Sequence, residues 1–401
     1  MPAPVLERAV VLTGDAHYDV CSRVGRGAPA ARPPTSLPGG TSPRRSHNSA
    51  DDLRRHITTA RHPKRGRIKL LRTLQTNACA NDCFYCPFRA GRDFRREAFE
   101  PHELARLVDQ MQRAGMIDGL FLSSGVVGGG DRSMERIAAT AEILRQRHGY
   151  TGYMHLKIMP RASDAAIEQI LRVADRVSIN LEAPTTEHLA RLTSTKDLPA
   201  DLLAPLRRAR EIALATGSRV GIATQFVVGA AGETDADILR LSARLYREID
   251  LTRIFYSTFT PAPDTPLDAL PAENPLRAHR LYQADFMLRR YGATLGDLPF
   301  DREGRLPIGV DPKLAWAQAH PGAFPVEINT AGRSVLLRVP GLGPVTVDAL
   351  LRARRGGRLR HVTDLRRLGS GTARSLSWIT IDGHAPPVQL PLPDPSAGVT
   401  G

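Results

Sequence analysis

The stretch CANDCFYCPF, residues 79–88, sets Cys79, Cys83 and Cys86 in a C-x3-C-x2-C spacing directly behind the apolar run IKLLRTLQT (68–76). Three thiolates at this spacing can hold three irons of a [4Fe–4S] cluster and leave the fourth iron open to a ligand. Zinc is the alternative, with a nearby histidine as fourth donor, since no C-x2-C partner stands elsewhere in the chain. Four cysteines in 401 residues cannot make a disulfide framework. The fourth, Cys21, stands apart and reads as a solvent-facing thiol, or else as a hydrogen donor or extra ligand near the site.

Outward from the cysteines, short apolar runs alternate with amphipathic stretches. IKLLRTLQT (68–76), GLFLSS (119–124), YMHLKIM (153–159), RVSINLE (176–182), RVGIATQFVVG (219–229) and RIFYSTF (253–259) read as strands buried on both faces. Helices are expected between them. Leu104, Leu107, Val108 and Met111 fall at helical spacing, and Ile167, Ile170 and Leu171 repeat the pattern behind the N-cap candidate Ser163. Such alternation demands parallel strands with right-handed crossovers, as a barrel, a partial barrel or an open doubly wound sheet. In each of these, ligands gather at the C-terminal ends of the strands, where the cysteines also lie.

Composition sets outer bounds. A net charge of +14 with 42% hydrophobic residues is too apolar for a disordered chain, and no run of about 18 apolar residues could span a bilayer. Acidic residues close behind a short N-terminal apolar stretch are wrong for a secretory signal, so a cytoplasmic location is expected. Residues 24–49, rich in Pro, Gly, Ser and Arg, read as a mobile connector. The expected layout is an N-terminal extension and linker (1–50), an α/β barrel (51–300), a small all-α region (301–385) and a loose tail (386–401).

With Tyr85 preceding the third cysteine, the motif resembles that of the radical S-adenosylmethionine (SAM) superfamily. The resemblance implies a partial (βα)6 barrel, a [4Fe–4S] cluster and SAM as cofactors, and Cys79, Cys83 and Cys86 as iron ligands. SAM would be cleaved to methionine and a 5′-deoxyadenosyl radical that takes a hydrogen from substrate. A reductant such as flavodoxin or ferredoxin would supply the electron. Ser123 and Ser124, with Gly125, stand where many members contact the methionyl amine, although the usual acidic residue is absent here. His155 and Lys157 share one strand face, and Lys157 is expected to meet either the SAM carboxylate or Glu182. Asn180 and Glu182 resemble the polar pair that binds the ribose, while Thr224, Gln225 and GAAGET (229–234) resemble the strand and turn passing adenine. Glu233, Thr234 and Asp235 also suit a helix start.

A narrower resemblance covers most of residues 5–375. GLFLSSGV, GYMHLKIMPRAS, SINLEAPT, YSTFTPAPDTPL and HRLYQADFMLRRYG are similar to a bacterial subfamily of DNA modification or repair radical SAM proteins, often accompanied by a uracil-DNA glycosylase-like partner. The 279–292 helix is expected to bury Leu281, Phe286 and Leu288 and to turn His279, Arg280, Gln283 and Arg290 to substrate or solvent.

VPGLGPVT (339–346) resembles a helix-hairpin-helix turn, with a degraded second copy in LRRLGSGTA (365–373). Gly341, Leu342, Gly343 and Thr346 are its candidate phosphate contacts, since glycines admit a close backbone and Pro344 starts a helix whose free N–H groups face the anion. Residues 331–370 carry nine arginines against two aspartates, half the net charge of the chain. DNA is the expected partner, with no membrane. RNA, or a non-catalytic iron–sulfur DNA sensor, are the alternatives.

Overall fold

A computed structural model describes residues 3–17, 53–62, 66–369 and 371–387. Cys21, the 24–49 connector and the tail beyond 387 lie outside the described residues. The chain divides into two compact units, Met1–Ala278 and His279–Gly401.

The first unit is one curled seven-stranded sheet in chain order: β1 (Thr58–His62), β2 (Gly66–Leu74), β3 (Gly119–Ser123), β4 (Tyr153–Lys157), β5 (Arg176–Glu182), β6 (Gly221–Val228) and β7 (Arg253–Thr258). The six strands from β2 to β7 pair in parallel, whereas β1 pairs antiparallel with β2. A doubly wound sheet reverses its strand order at a switch point. No reversal occurs here, and β1 and β7 form the two edges, so the sheet is a partial barrel. The sequence runs missed β1 because TTARH carries no apolar alternation; it is a polar strand that covers the β2 edge.

The helices form where their apolar spacing and caps require. Helix α1 spans Ala3–Asp15, buries Ala9 and Leu12, and packs against β2, so part of the expected extension belongs to this unit. Helix α2, Pro101–Arg113, starts with Pro101 behind a capping box of Glu100 and Glu103 and buries Leu104, Leu107, Val108 and Met111. Next come α3 (Gly130–Glu142) and α4 (Asp164–Leu171), the latter capped by the Ser163 hydroxyl accepting from the Ala166 amide. Helix α5 spans Ala204–Ala215, and α6 (Asp235–Ile249) is capped by Thr234 with Asp237. The unit division falls inside α7 (Pro275–Arg290), not near residue 300.

Along α7 the buried apolar side chains are Ala278, Leu281, Ala284 and Met287, whereas Leu288 is half-buried and Phe286 is 38% exposed, which corrects the expected stripe. Arg280 donates to the Ile308 carbonyl at 2.7 and 2.9 Å and to Gln283, so its charge serves the fold.

The second unit contains α8 (Pro312–Ala319), α9 (Arg333–Arg338), α10 (Pro344–Ala353) and α11 (Val362–Arg366) around a core of Leu336, Leu337, Leu342, Val347, Leu350 and Leu365. It is not purely helical. Two-residue strands β8 (Val326–Glu327) and β9 (Ile379–Thr380) pair in parallel within it.

Candidate active site

The C-terminal ends of the parallel strands open into a cavity of about 360 Å³. Cys79, Cys83 and Cys86 line it from the loop behind β2, Ser123 and Ser124 from the end of β3, and Lys157 from β4. Asn180 and Glu182 join from β5, Gln225 from β6, and Tyr256 and Thr258 from β7. Nine of the ten residues expected to hold cluster or SAM therefore share one wall. The exception is Thr224. Strand side chains alternate, so Gln225 faces the cavity while the Thr224 hydroxyl points away and donates to the Ile179 carbonyl at 2.7 Å.

The cysteine loop is held against the end of β3. Gly125 N–H donates to Thr76 O at 2.7 Å, Ala80 N–H to Val126 O at 2.7 Å, and Val126 N–H to the Cys79 sulfur at 3.4 Å. A side chain at Gly125 would place Cβ 2.0 Å from the Ala78 carbonyl oxygen, so only glycine permits this approach. Burial pushes the Cys83 and Cys86 thiols up, and the mutual repulsion of the cysteine charges adds to it. A bound cation would favour the thiolate form that burial disfavours at Cys83 and Cys86, which fits a thiolate-held iron cluster.

Residues 73–245 match the family model described as the radical SAM superfamily. This is a radical SAM domain. A domain of this family carries a [4Fe–4S] cluster and SAM as its cofactors. Solved structures similar to the chain include HydG, a maturase of the [FeFe]-hydrogenase, at 15% identity and TM-score 0.45 over 55% of this chain and 49% of that one. Methylornithine synthase (PylB) follows at 15% identity and TM-score 0.45, over 60% and 66% of the two chains. Coproporphyrinogen III oxidase (HemN) from Escherichia coli is 14% identical with TM-score 0.37, over 57% and 53%. The chain thus spans about half to two thirds of these structures. None of the curated proteins matches the sequence significantly.

In the radical SAM cavity the expected Lys157–Glu182 pair does not form. Lys157 donates instead to the Asn180 side-chain oxygen, and Glu182 takes its ion pair from Lys196 at 3.3 Å, with both side chains almost fully buried. A register shift between Asn180 and Glu182 causes this exchange: Glu182 adopts φ +64°, a left-handed conformation costing a non-glycine residue about 1 kcal/mol or more. The shift turns its carboxylate toward Lys196. Burial alone would lower the Lys196 ammonium, but Cys83 and Glu182 hold it well above its usual value.

Sequence periodicity missed Lys196, because it lies in an irregular segment placed by a distant residue. Asp82, between Cys79 and Cys83, accepts from the Thr193 hydroxyl at 2.5 Å, the Ser194 hydroxyl at 2.5 Å and the Thr195 hydroxyl at 2.8 Å. Burial alone would raise the Asp82 carboxyl, yet these donors, with the Ser194 amide, hold it well below the carboxylate range. The one legible signal was three hydroxyl residues in a row before a lysine. His155, expected beside Lys157, lies deeper: it bonds the Ser178 hydroxyl at 2.7 Å and packs edge-on to Phe121. Burial, with Arg176, Lys157 and Arg72 nearby, pushes its pKa down, so the imidazole is neutral.

The second oxygen of Glu182, Oε2, is buried and accepts no well-formed hydrogen bond among the described residues, although the Tyr85 hydroxyl stands beside the same carboxylate. Such an acceptor suits a ligand hydroxyl, and the ribose of SAM would supply one. Glu182→Gln is therefore expected to weaken SAM binding to the reconstituted protein about tenfold, the value of one charge-assisted hydrogen bond. The cluster spectrum should stay unchanged. Equal SAM affinity in the variant would remove Glu182 from the SAM site.

Proposed function

We propose that this radical SAM enzyme acts on DNA held by its C-terminal unit, as a DNA-modifying or DNA-repair enzyme. The observation carrying this reading is a pair of hairpin turns set back to back in an arginine-rich unit. The first turn joins α9 to α10 through Gly341 (φ +86°) and Gly343, which caps α10 ahead of Pro344. The second contributes Gly371. A Cβ on Gly341 would lie 2.6 Å from the Gly371 carbonyl oxygen, and one on Gly371 would lie 2.6 Å from the Gly341 oxygen. Two helix-hairpin-helix motifs packed as a tandem pair would account for this mutual approach. Arg352, Arg355, Arg360, Arg366 and Arg367 of the same unit are exposed.

The candidate phosphate contacts divide. Leu342 is fully buried in the core, and Thr346 packs where a Cβ on Gly369 would meet its hydroxyl at 2.5 Å, so both shape the motif. Gly343 has open space around it, and its main chain stands at the start of α10, where free N–H groups favour an anion. When bound, the cluster and SAM supply a radical that removes one hydrogen from substrate. The protein's own residues hold SAM, exclude water and orient the nucleotide. A base in duplex must first be unstacked, which favours damaged or single-stranded sites. A flavodoxin- or ferredoxin-type reductant and a uracil-DNA glycosylase-like protein are the partners this reading proposes.

Gly343→Val separates this reading from its alternatives, because a Cβ there meets no protein atom. It should lower duplex affinity about tenfold or more while costing only about 1 kcal/mol of stability at the helix N-cap and leaving substrate-free SAM cleavage unchanged. Wild-type binding should weaken with salt, with a slope of about −0.9 per phosphate contacted. Digested nucleosides from anaerobic reactions with SAM, reductant and DNA should show a mass change that RNA does not. Wild-type DNA affinity in the variant, or turnover with RNA alone, overturns the DNA reading.

A further inference from the structure

The segment behind the last cysteine, PFRAGRDFRRE (87–97), is dense in arginine, yet three of these side chains turn back onto the main chain. Arg89 donates to the Asp82 carbonyl at 3.2 Å. Arg92 donates to those of Pro87 and Pro263, each at 3.1 Å. Arg96 gathers four carbonyls: Nη1 reaches Asn77 at 3.4 Å and Phe88 at 3.1 Å, and Nη2 reaches Arg89 and Arg92, each at 3.1 Å. Asn77 stands just before Cys79 and Phe88 just after Cys86, so one guanidinium joins both ends of the cysteine loop. Its carbon lies 3.9 Å from the centre of the Phe94 ring. Its charge is felt at Cys79 and Cys86.

We propose that Arg96 is a positioning residue for the iron–sulfur cluster: it pins the two ends of the cysteine loop together and, as a fixed cation beside Cys79 and Cys86, sets the cluster's reduction potential. Reduction adds an electron to a site already carrying thiolate charge in a water-poor pocket. A nearby cation stabilises the reduced form more than the oxidised one, which moves the potential upward. The guanidinium is essential to the pin, because its two terminal nitrogens carry four N–H groups for four carbonyls, whereas an ammonium has three. Backbone atoms are its only hydrogen-bond acceptors among the described residues, and the nearby Asp93 carboxylate acts on its charge without a direct bond.

Full-length protein reconstituted anaerobically tests both parts, comparing wild type, Arg96→Lys, Arg96→Gln and the control Arg95→Gln, whose side chain is 61% exposed. The readouts are the potential at which the reduced-cluster EPR signal is half developed, and the iron kept under chelator challenge. Arg96→Gln should show a more negative potential and about tenfold weaker iron retention, the usual effect of losing an outer-shell partner. Arg96→Lys should keep a potential near wild type but lose iron as the Gln variant does. Arg95→Gln should change neither. A wild-type potential in Arg96→Gln overturns the charge role, and wild-type iron retention in both Arg96 variants overturns the pin. Should Arg96→Gln load no cluster, its apoprotein should keep the wild-type circular dichroism spectrum while Cys79 is alkylated faster. Unchanged alkylation then refutes the pin, and a strongly lowered potential in Arg96→Lys refutes the charge role. No readout involves nucleic acid, so the outcome is independent of the substrate.

Discussion

Cys79→Ala, Cys83→Ala and Cys86→Ala are each expected to abolish the iron–sulfur absorbance and SAM cleavage together. Three ligands are the minimum that holds a site-differentiated cluster, and the cavity offers no fourth cysteine among the described residues to stand in. Cys83 should be the most damaging for a second reason. It is 6% exposed and bonds Lys196, so its loss takes a hydrogen-bond partner from that buried ammonium. Iron and sulfide analysis after anaerobic reconstitution, with 5′-deoxyadenosine measured by mass spectrometry, reads both losses. A wild-type protein that binds one zinc and neither iron nor sulfide would refute the cluster assignment.

The second large effect lies away from the chemistry. Arg277, 3% exposed, donates to Asp235 at 2.7 Å, to Glu273 at 2.7 Å and to the Glu233 carbonyl at 2.7 Å. Glu233 in turn accepts the amides of Gly229 at 2.5 Å and Ala231 at 3.1 Å, fixing the turn behind β6. Arg277→Met removes the cation that Asp235, Glu273 and Glu233 share among the described residues and weakens the compensation of buried carboxylates, which costs about 3–5 kcal/mol. Urea unfolding of the apoprotein should show a loss of that size, whereas Arg208→Met, on an exposed pair, should be nearly silent. A loss below about 1 kcal/mol in Arg277→Met would mean that water reaches the group.

The parts legible in the sequence were those written in local periodicity. The cysteine spacing, the six parallel strands and the caps at Ser163 and Thr234 each sit within a few residues of their cause. Tertiary placement was not legible. Lys157 and Glu182 looked like natural partners on neighbouring strands, but one shifted residue in β5 turned the carboxylate to Lys196. Thr224 and Gln225 were grouped because a motif was matched as a string, although the strand's period of two sends them to opposite sides. Arg96 is harder still. Its worth comes from carbonyls, which every sequence has and no pattern marks.

The abutting turns of the second unit limit how that unit can be divided. Because Gly341 and Gly371 each occupy the space a side chain on the other would need, neither turn keeps its packing surface if the chain is cut between them. A fragment ending before residue 365 would also lose Leu365, Leu376 and Ile379 from the core that buries Leu342. As a tool for tethering another catalyst, or as cargo exchanged between genes, this module travels whole or not at all.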